Sequence, residues 1–150
     1  NAPGRNEFIS EAETKCFKVI VDYSFEPKAM SALYEVVKLL SPKKIIHVFG
    51  STGGGRDVSR RFSVGELVGT NADVCVVTDE DPYDDEPMKI MNDVAEAVRK
   101  TGKKDNENIS NIGNNGLNGN IGNIGSAQVN GNIGGKSIGG NGSIGVIGNK

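Results

Sequence analysis

Residues 44–61, KIIHVFGSTGGGRDVSRR, combine a short apolar run with a glycine-rich loop, a pattern typical of an α/β sheet. The first six residues form an apolar run that is too short for a helix, and Gly50 closes it, so they predict a buried strand. A glycine-rich loop follows directly and carries Arg56 towards the next element. In open α/β sheets, ligands bind at this end of the strands, so the loop is a first candidate for a functional site.

Strands and helices alternate on both sides of this stretch. Residues 17–22 and 73–78 are short, β-branched apolar runs, which predict two more strands. Apolar residues spaced by three and four positions predict helices in residues 27–40 and 87–102. A proline at the start of each helix supports these boundaries, because proline is favoured at the first helical position.

The order of these elements predicts an α/β fold. A capping-box pattern at Ser63 and Glu66 adds a short helix after the glycine loop. Short connections between strands and helices indicate a Rossmann-like, mostly parallel sheet with helices on both faces. Three loops are then expected at the carboxyl ends of the strands, in residues 22–27, 50–61 and 79–87.

The composition excludes several classes of protein. A net charge of -2 with both signs mixed gives no sustained basic field, so neither nucleic acid nor an anionic membrane is expected as a partner. No apolar run approaches the roughly 20 residues of a membrane span, and no signal peptide is recognisable, which favours a cytoplasmic setting. Cys16 and Cys75 lie in or beside apolar runs and are expected to remain free thiols.

Each of the three loops has a structural and a chemical interpretation. The glycine loop offers amides and arginines to an anion, but it lacks the P-loop and dinucleotide-binding patterns and serves equally well as a turn. Asp22 either accepts a hydrogen bond from a ribose hydroxyl or orients a cation, or it caps the following helix. The carboxylates of residues 79–86 either bind a metal or an amino group, or form a solvated loop. His47 is expected to be a packed or edge residue rather than a catalytic base, and no catalytic or metal-ligating residue is assigned.

Four motifs, in order along the chain, resemble the C-terminal domain of the Mur ligase family, and most of all its tripeptide synthetase (MurE-type) branch. Residues 3–7 (PGRNE) resemble the Gly-Arg-Met-Glu linker of the family, and residues 21–27 (VDYSFEP) resemble Val-Asp-Tyr-Ala-His-x-Pro. Residues 49–61 resemble Gly-Gly-Asp-Arg-Asp followed by Lys-Arg-Pro. Residues 78–83 (TDEDPY) stand where the family has Thr-Ser-Asp-Asn-Pro-Arg. The resemblance covers about residues 1–105.

This resemblance implies an ATP-dependent amide-bond ligase of peptidoglycan synthesis. In the family, ATP with Mg²⁺ converts a carboxylate of a UDP-N-acetylmuramoyl-peptide into an acyl phosphate, which the amine of an amino acid attacks. The C-terminal domain presents that amino acid. The implied site residues are, for the nucleotide, Arg5 and Asp22, and for the amino acid, Arg56, Arg61, Asp81 and Tyr83.

Several positions depart from the family pattern. Phe25 replaces a histidine, Phe62 replaces a proline, and the loop before Arg56 is one residue longer. Asp81 and Tyr83 cannot form the arginine clamp that the family uses for the distal carboxylate of diaminopimelate, which favours a cationic amino acid such as lysine. The P-loop, the magnesium ligands and the domain that binds the UDP substrate belong to upstream parts of such enzymes. Residues 1–105 are therefore expected to be an incomplete and, alone, inactive part of the ligase.

Residues 106–150 form a second region, which is built mostly from glycine, asparagine and isoleucine. A 12-residue unit, NIGNNGLNGNIG in residues 111–122, recurs as NIGSAQVNGNIG in residues 123–134 and more loosely in residues 137–148. Such a tail predicts either disorder or a small β-solenoid. The alternative to a ligase domain is therefore a non-catalytic binding or structural module that displays these repeats.

Overall fold

The computed structural model describes residues 3–12, 17–105, 107–113, 116–117 and 143–148. The strands are β1 (Glu7–Phe8), β2 (Phe17–Asp22), β3 (Lys44–Phe49), β4 (Val74–Thr78), β5 (Ile109–Gly113), β6 (Gly116–Leu117) and β7 (Ser143–Gly148). The helices are α1 (Pro27–Leu39), α2 (Ser59–Asn71) and α3 (Pro87–Lys100), and Ser10–Ala12 forms one 3-10 turn. The α/β class predicted from the sequence is confirmed.

The starts of the helices follow from local chemistry. α1 and α3 both begin at a proline, as predicted. The short helix expected at Ser63 is wrong in its start, because α2 begins four residues earlier at Ser59. The carboxylate of Asp57 accepts a hydrogen bond from the Ser59 amide at 2.9 Å, which satisfies a free donor of the first turn. The Ser63 hydroxyl instead donates within the helix to the carbonyl oxygens of Ser59 and Arg60.

The sheet is mixed in direction. Its strand order is β1-β2-β7-β3-β4-β5-β6. β3 pairs parallel with β4, and β4 pairs parallel with β5, but β7 lies antiparallel between β2 and β3. The expectation of a mostly parallel sheet is thus met for the direction of β2, β3, β4 and β5 and is wrong for the pairing of β2 with β3. The physical reason is that a distant segment supplies the strand between them.

All three α-helices of the described part pack on one face of the sheet, which corrects the expectation of helices on both faces. On β3, Phe49 joins a buried cluster that includes residues of α1, α2 and α3. Ile46, which points to the opposite face, packs instead with Val74 and Val76 of β4. The strand order explains this arrangement. Each right-handed crossover from β2 to β5 moves in the same direction along the sheet, so each helix lands on the same side.

Residues 106–150 contribute to this sheet, contrary to the expectation of disorder or a solenoid for the segments concerned. β5 follows α3 closely and extends the sheet beside β4, although no strand is expected there from the sequence. β7 comes from the last repeat and pairs with both β2 and β3. The expected boundary at residue 105 therefore does not coincide with an end of the sheet. β6 pairs antiparallel with β5. Residues 106, 114–115, 118–142 and 149–150 lie outside the described residues, as does Cys16. Cys75 is a buried free thiol.

No helix among the described residues is long and apolar enough to cross a membrane.

Candidate functional site

The three loops singled out in the sequence lie at one edge of the sheet. β2 and β3 both run antiparallel to β7, so they share a direction, and β4 runs parallel to β3. Their carboxyl ends therefore meet at the same edge. The loops that leave them are residues 23–26, residues 50–58, here called the glycine loop, and residues 79–86, here called the acidic loop.

The glycine loop packs directly on the acidic loop. The amide of Gly53 donates a hydrogen bond to the Asp81 carbonyl oxygen at 3.1 Å. A Cβ atom at Gly53 would lie 2.1 Å from the carbonyl oxygen of Pro82, and one at Gly54 would lie 2.8 Å from the Tyr83 ring. Such distances exclude any side chain unless the acidic loop moves. These glycines are therefore explained by the close approach of the two backbones. The Gly53 amide is hydrogen-bonded to Asp81 and is not free to bind an anion.

The acidic loop presents Asp81 and Tyr83 on its outer side. Both residues are exposed, and 63% of the Tyr83 surface is accessible. Their φ angles are 35° for Asp81 and 53° for Tyr83, in the left-handed region that non-glycine residues seldom adopt. The contacts with Gly53 and Gly54 hold this conformation. The two predicted specificity residues are therefore placed together and held by the glycine loop.

Arg56 and Arg61 lie in different environments although both were assigned to one anionic site. Arg56 is exposed and has no ion pair or hydrogen bond within the described part of the chain. Arg61 is 4% exposed, and its guanidinium forms ion pairs with Asp85 at 2.7 Å and with Asp93 at 3.0 Å. Arg61 thereby joins α2 to the acidic loop and to α3. Arg56 remains available for a ligand.

The electrostatics of Asp93 agree with this junction. Burial acts to raise the pKa of Asp93, but hydrogen bonds from Lys89 and Arg61 outweigh it, so the pKa is lowered. Asp93 is consequently an ionised partner of Arg61 near neutral pH. The Nε–H of Arg61 is buried and has no hydrogen-bond partner among the described residues. The two ion pairs therefore carry most of the interactions that compensate this buried cation.

Arg60 connects the start of α2 to the loop after β2. Its Nη2 lies 2.9 Å from a carboxylate oxygen of Glu26, and its guanidinium carbon lies 5.6 Å from the centre of the Phe25 ring. Phe25 stands where the family pattern has a histidine, and here it serves as a platform for a cation. Arg60 thus fixes the start of α2, directly after the glycine loop, to the loop after β2.

Asp22 and Arg5 lie at the same end of β2. Asp22 is 6% exposed, and its carboxylate accepts hydrogen bonds from the Asn6 amide at 2.7 Å and from the Ser24 hydroxyl. The guanidinium carbon of Arg5 lies 5.0 Å from the centre of the Tyr23 ring. The two residues assigned to the nucleotide are therefore held on adjoining segments. Asp22 does not cap α1, whose first turn has no side-chain cap.

Comparison with known proteins identifies the family. A family model described as "Mur ligase, glutamate ligase domain" matches residues 4–114, which is well over half of the chain. The chain belongs to the Mur ligase family. The resemblance drawn from the four sequence motifs is confirmed, and the match extends past residue 105 to include β5.

Individual relatives carry names from the tripeptide synthetase branch of the Mur ligases. A UDP-N-acetylmuramoyl-L-alanyl-D-glutamate--2,6-diaminopimelate ligase of Alkaliphilus oremlandii is 34% identical over 98 residues, which cover 65% of this chain and 20% of that protein. The UDP-N-acetylmuramyl-tripeptide synthetase of Borreliella burgdorferi is 39% identical over 103 residues, which cover 68% of this chain and 20% of that protein. The chain thus spans about a fifth of the length of these curated relatives.

Glu80 is a feature of this Mur ligase domain that sequence reasoning missed. Its side chain packs against Gly50, where a Cβ atom would lie 2.8 Å from the Glu80 Cβ. Burial, with a smaller contribution from neighbouring Asp81, raises the pKa of Glu80 to about 7. One of its oxygens is buried without a hydrogen-bond partner in the described part. The only signal in the sequence is its place among other acids, which does not distinguish the buried member from the exposed ones.

The interpretation of His47 as a packed residue is confirmed. His47 is 3% exposed, and its Nδ1 lies 2.6 Å from the Tyr34 hydroxyl of α1. Burial lowers the pKa of His47 to about 4, so the ring is neutral at physiological pH. The ring lies in the interior beneath α1. No group of three or more potential metal ligands occurs among the described residues.

Proposed function

We propose that this chain acts as the amino-acid-presenting C-terminal domain of an ATP-dependent ligase that extends a UDP-N-acetylmuramoyl-peptide in peptidoglycan synthesis. Family membership and the names of the relatives support this proposal. In such a reaction, ATP with Mg²⁺ supplies the phosphoryl group that activates a carboxylate as an acyl phosphate. The role of this chain is to hold the amino acid whose amine attacks that carboxylate.

Arg56 is the observation that carries the proposal. It is an exposed guanidinium at the carboxyl edge of the sheet, without a partner in the described residues, two positions after a glycine that contacts Tyr83. A guanidinium binds a carboxylate through two parallel hydrogen bonds, which fixes both position and orientation. Arg56 therefore binds the α-carboxylate of the amino acid. Arg61 supports the same site indirectly, because its ion pair with Asp85 fixes the acidic loop.

The side chain of the amino acid is read by Asp81 and Tyr83. A carboxylate and a phenol accept hydrogen bonds from an ammonium group, whereas they offer no cationic clamp to a second carboxylate. We therefore propose that lysine is preferred to diaminopimelate. Arg5 and Asp22, at the end of β2, face the nucleotide, and the P-loop and magnesium ligands are contributed by other parts of the ligase.

A binding experiment tests the amino-acid site. Amide chemical shifts of the isotope-labelled chain are followed by NMR during titration with lysine, diaminopimelate and alanine. We expect lysine to change the amide chemical shifts of the glycine and acidic loops at a lower concentration than the other two amino acids. Arg56→Ala should weaken the binding of lysine about tenfold or more. Arg99→Ala is the matched control, since Arg99 is an exposed arginine paired with Asp105 away from these loops.

Two results would contradict the proposal. Preference for diaminopimelate would refute the role of Asp81 and Tyr83, and equal binding by Arg56→Ala would refute the carboxylate site. The sequence contains no Gly-x-x-x-x-Gly-Lys-Ser/Thr pattern, so we expect the chain alone not to hydrolyse ATP. Phosphate release from ATP by the purified chain would overturn that expectation.

A further inference from the structure

The N-terminal segment, residues 4–8, is fastened to the carboxyl end of β2. β1 pairs antiparallel with β2, which places Glu7 opposite Val21. The Asn6 amide donates a hydrogen bond of 2.7 Å to Oδ2 of Asp22, and Oδ1 of the same carboxylate accepts from the Ser24 hydroxyl. The segment is thus held by a side chain that is 6% exposed.

The backbone of this segment has a conformation that needs such support. Gly4 and Asn6 have φ angles of 72° and 45°, in the left-handed region. The Gly4 amide donates to a carboxylate oxygen of Glu7 at 2.7 Å, which closes the turn locally. A left-handed asparagine is uncommon and persists when surrounding contacts favour it. The hydrogen bond to Asp22 ties this turn to the body of the domain, beside the pairing of β1 with β2 and the contact of Arg5 with Tyr23. Hydrogen bonds to a carboxylate are among the stronger ones.

We propose that Asp22 is a positioning residue that latches residues 4–8 to the sheet and thereby fixes the direction in which the N-terminal segment leaves the domain. This inference rests on the proposed function for its catalytic meaning. There, the segment joins the domain to the nucleotide-binding part of the ligase, and its direction sets where the amino acid is presented. One carboxylate then serves both the linker, through Oδ2, and the nucleotide, which approaches the end of β2.

Hydrogen exchange in the full 150-residue chain tests the latch. In Asp22→Ala, we expect the Asn6 amide to exchange about tenfold to a hundredfold faster, which is the effect of losing one hydrogen bond to a charged group. In Asp22→Asn, a carbonyl oxygen remains as an acceptor, so part of the protection should return. Trypsin cleavage after Arg5 should accelerate in the same order, from wild type through Asp22→Asn to Asp22→Ala.

Two matched variants separate the latch from general stability. Asp73 also accepts a backbone amide, that of Ile45 at 2.7 Å, but at the opposite end of the strands. Asp73→Ala should therefore leave the Asn6 amide protected. Ser24→Ala removes the bond to Oδ1 and keeps Oδ2, which accepts the Asn6 amide, so this amide should also stay protected. Exchange of the β4 amides reports the stability of the whole domain and should stay unchanged in Asp22→Asn.

Unchanged exchange of Asn6 in both Asp22 variants would overturn the proposal. The proposal would also be overturned if Asp73→Ala accelerated exchange of the Asn6 amide as much as Asp22→Ala does. None of these measurements requires an amino acid or ATP. A negative result for Asp22 would therefore not affect the lysine-binding experiment with Arg56→Ala. Absence of lysine binding would likewise not affect the result for Asp22.

Discussion

Two layers of the same sheet edge differ in what their charges do. The inner layer consists of Gly50, Gly53, Arg61, Glu80 and Asp85, which are packed between the ends of β3 and β4 and the helices α2 and α3. The outer layer consists of Arg56, Asp81 and Tyr83, which are exposed. In the inner layer, Arg61 pairs with Asp85, and Glu80 is largely buried, whereas the outer side chains are exposed to solvent. Residue type alone therefore does not reveal function, since an arginine in the inner layer stabilises the fold while one in the outer layer is free to bind.

The largest change in stability is expected when the arginine of the inner layer, Arg61, is replaced. Arg61→Met removes the partner of Asp85 and Asp93, and leaves the Asp93 carboxylate with Lys89 alone. We expect a loss of about 3 kcal/mol in the free energy of unfolding, measured by urea denaturation. Arg99→Ala, which breaks an exposed ion pair, should cost less than about 1 kcal/mol. Equal losses of unfolding free energy in the two variants would show that the buried ion pairs of Arg61 stabilise the fold no more than an exposed pair does.

A smaller effect is expected at the contact between the two loops. In Gly53→Ala, the new methyl group would lie 2.1 Å from a backbone oxygen that cannot rotate away, so the acidic loop must shift. We expect a loss of about 1–3 kcal/mol by urea denaturation, together with weaker lysine binding. Gly55→Asn is the control, because no atom lies within 4 Å of that position and asparagine tolerates its left-handed φ of 74°. Normal stability and binding in Gly53→Ala would show that the loops are not tightly packed.

Glu80 gives the inner layer a pH dependence with a predictable sign. Its pKa in the folded chain, about 7, lies above the usual value of 4.5, so the folded state binds the proton more tightly than the unfolded state. The free energy of unfolding should therefore fall as pH rises from 4.5 to 7, by about 1–2 kcal/mol after allowance for solvent screening. His47 acts in the opposite sense between pH 4 and 6.5, because burial lowers its pKa.

A matched variant isolates the contribution of Glu80. Glu80→Gln removes the titration and leaves His47 in place, so the stability difference between this variant and wild type should grow from pH 4.5 to pH 8. Urea denaturation at these two pH values measures it. A constant difference would show that Glu80 is as well solvated as the carboxylates of the outer layer.

The smallest effect on stability should come from the outer layer itself. Arg56→Ala breaks no interaction within the described residues, so we expect a change of less than about 0.5 kcal/mol in the free energy of unfolding. The same variant should lose lysine binding, which would sharpen the contrast with Arg61→Met. A marked loss of stability in Arg56→Ala would instead place this arginine in the structural layer.

Local patterns in the sequence predict much of this molecule. The β-branched runs of β2, β3 and β4 and the prolines that begin α1 and α3 follow from the spacing of neighbouring residues. The grouping of three loops at one edge follows from the alternating order of these elements. The buried state of His47 follows from its place inside an apolar strand. These features depend on residues that are close in the chain, and local chemistry therefore suffices to predict them.

The remaining features depend on groups that are distant in the chain, so they follow only from the folded arrangement. Asp85 and Asp93 lie 24 and 32 positions after Arg61, and only the packing of α3 on α2 turns Arg61 into a buried structural residue. β7 enters between β2 and β3 from a glycine-rich repeat for which the sequence predicts disorder or a small β-solenoid, and not a strand of this sheet. The strand order then determines that the described helices share one face. A periodic pattern specifies which side of an element is apolar, but the partner of that side is chosen by the folded chain as a whole.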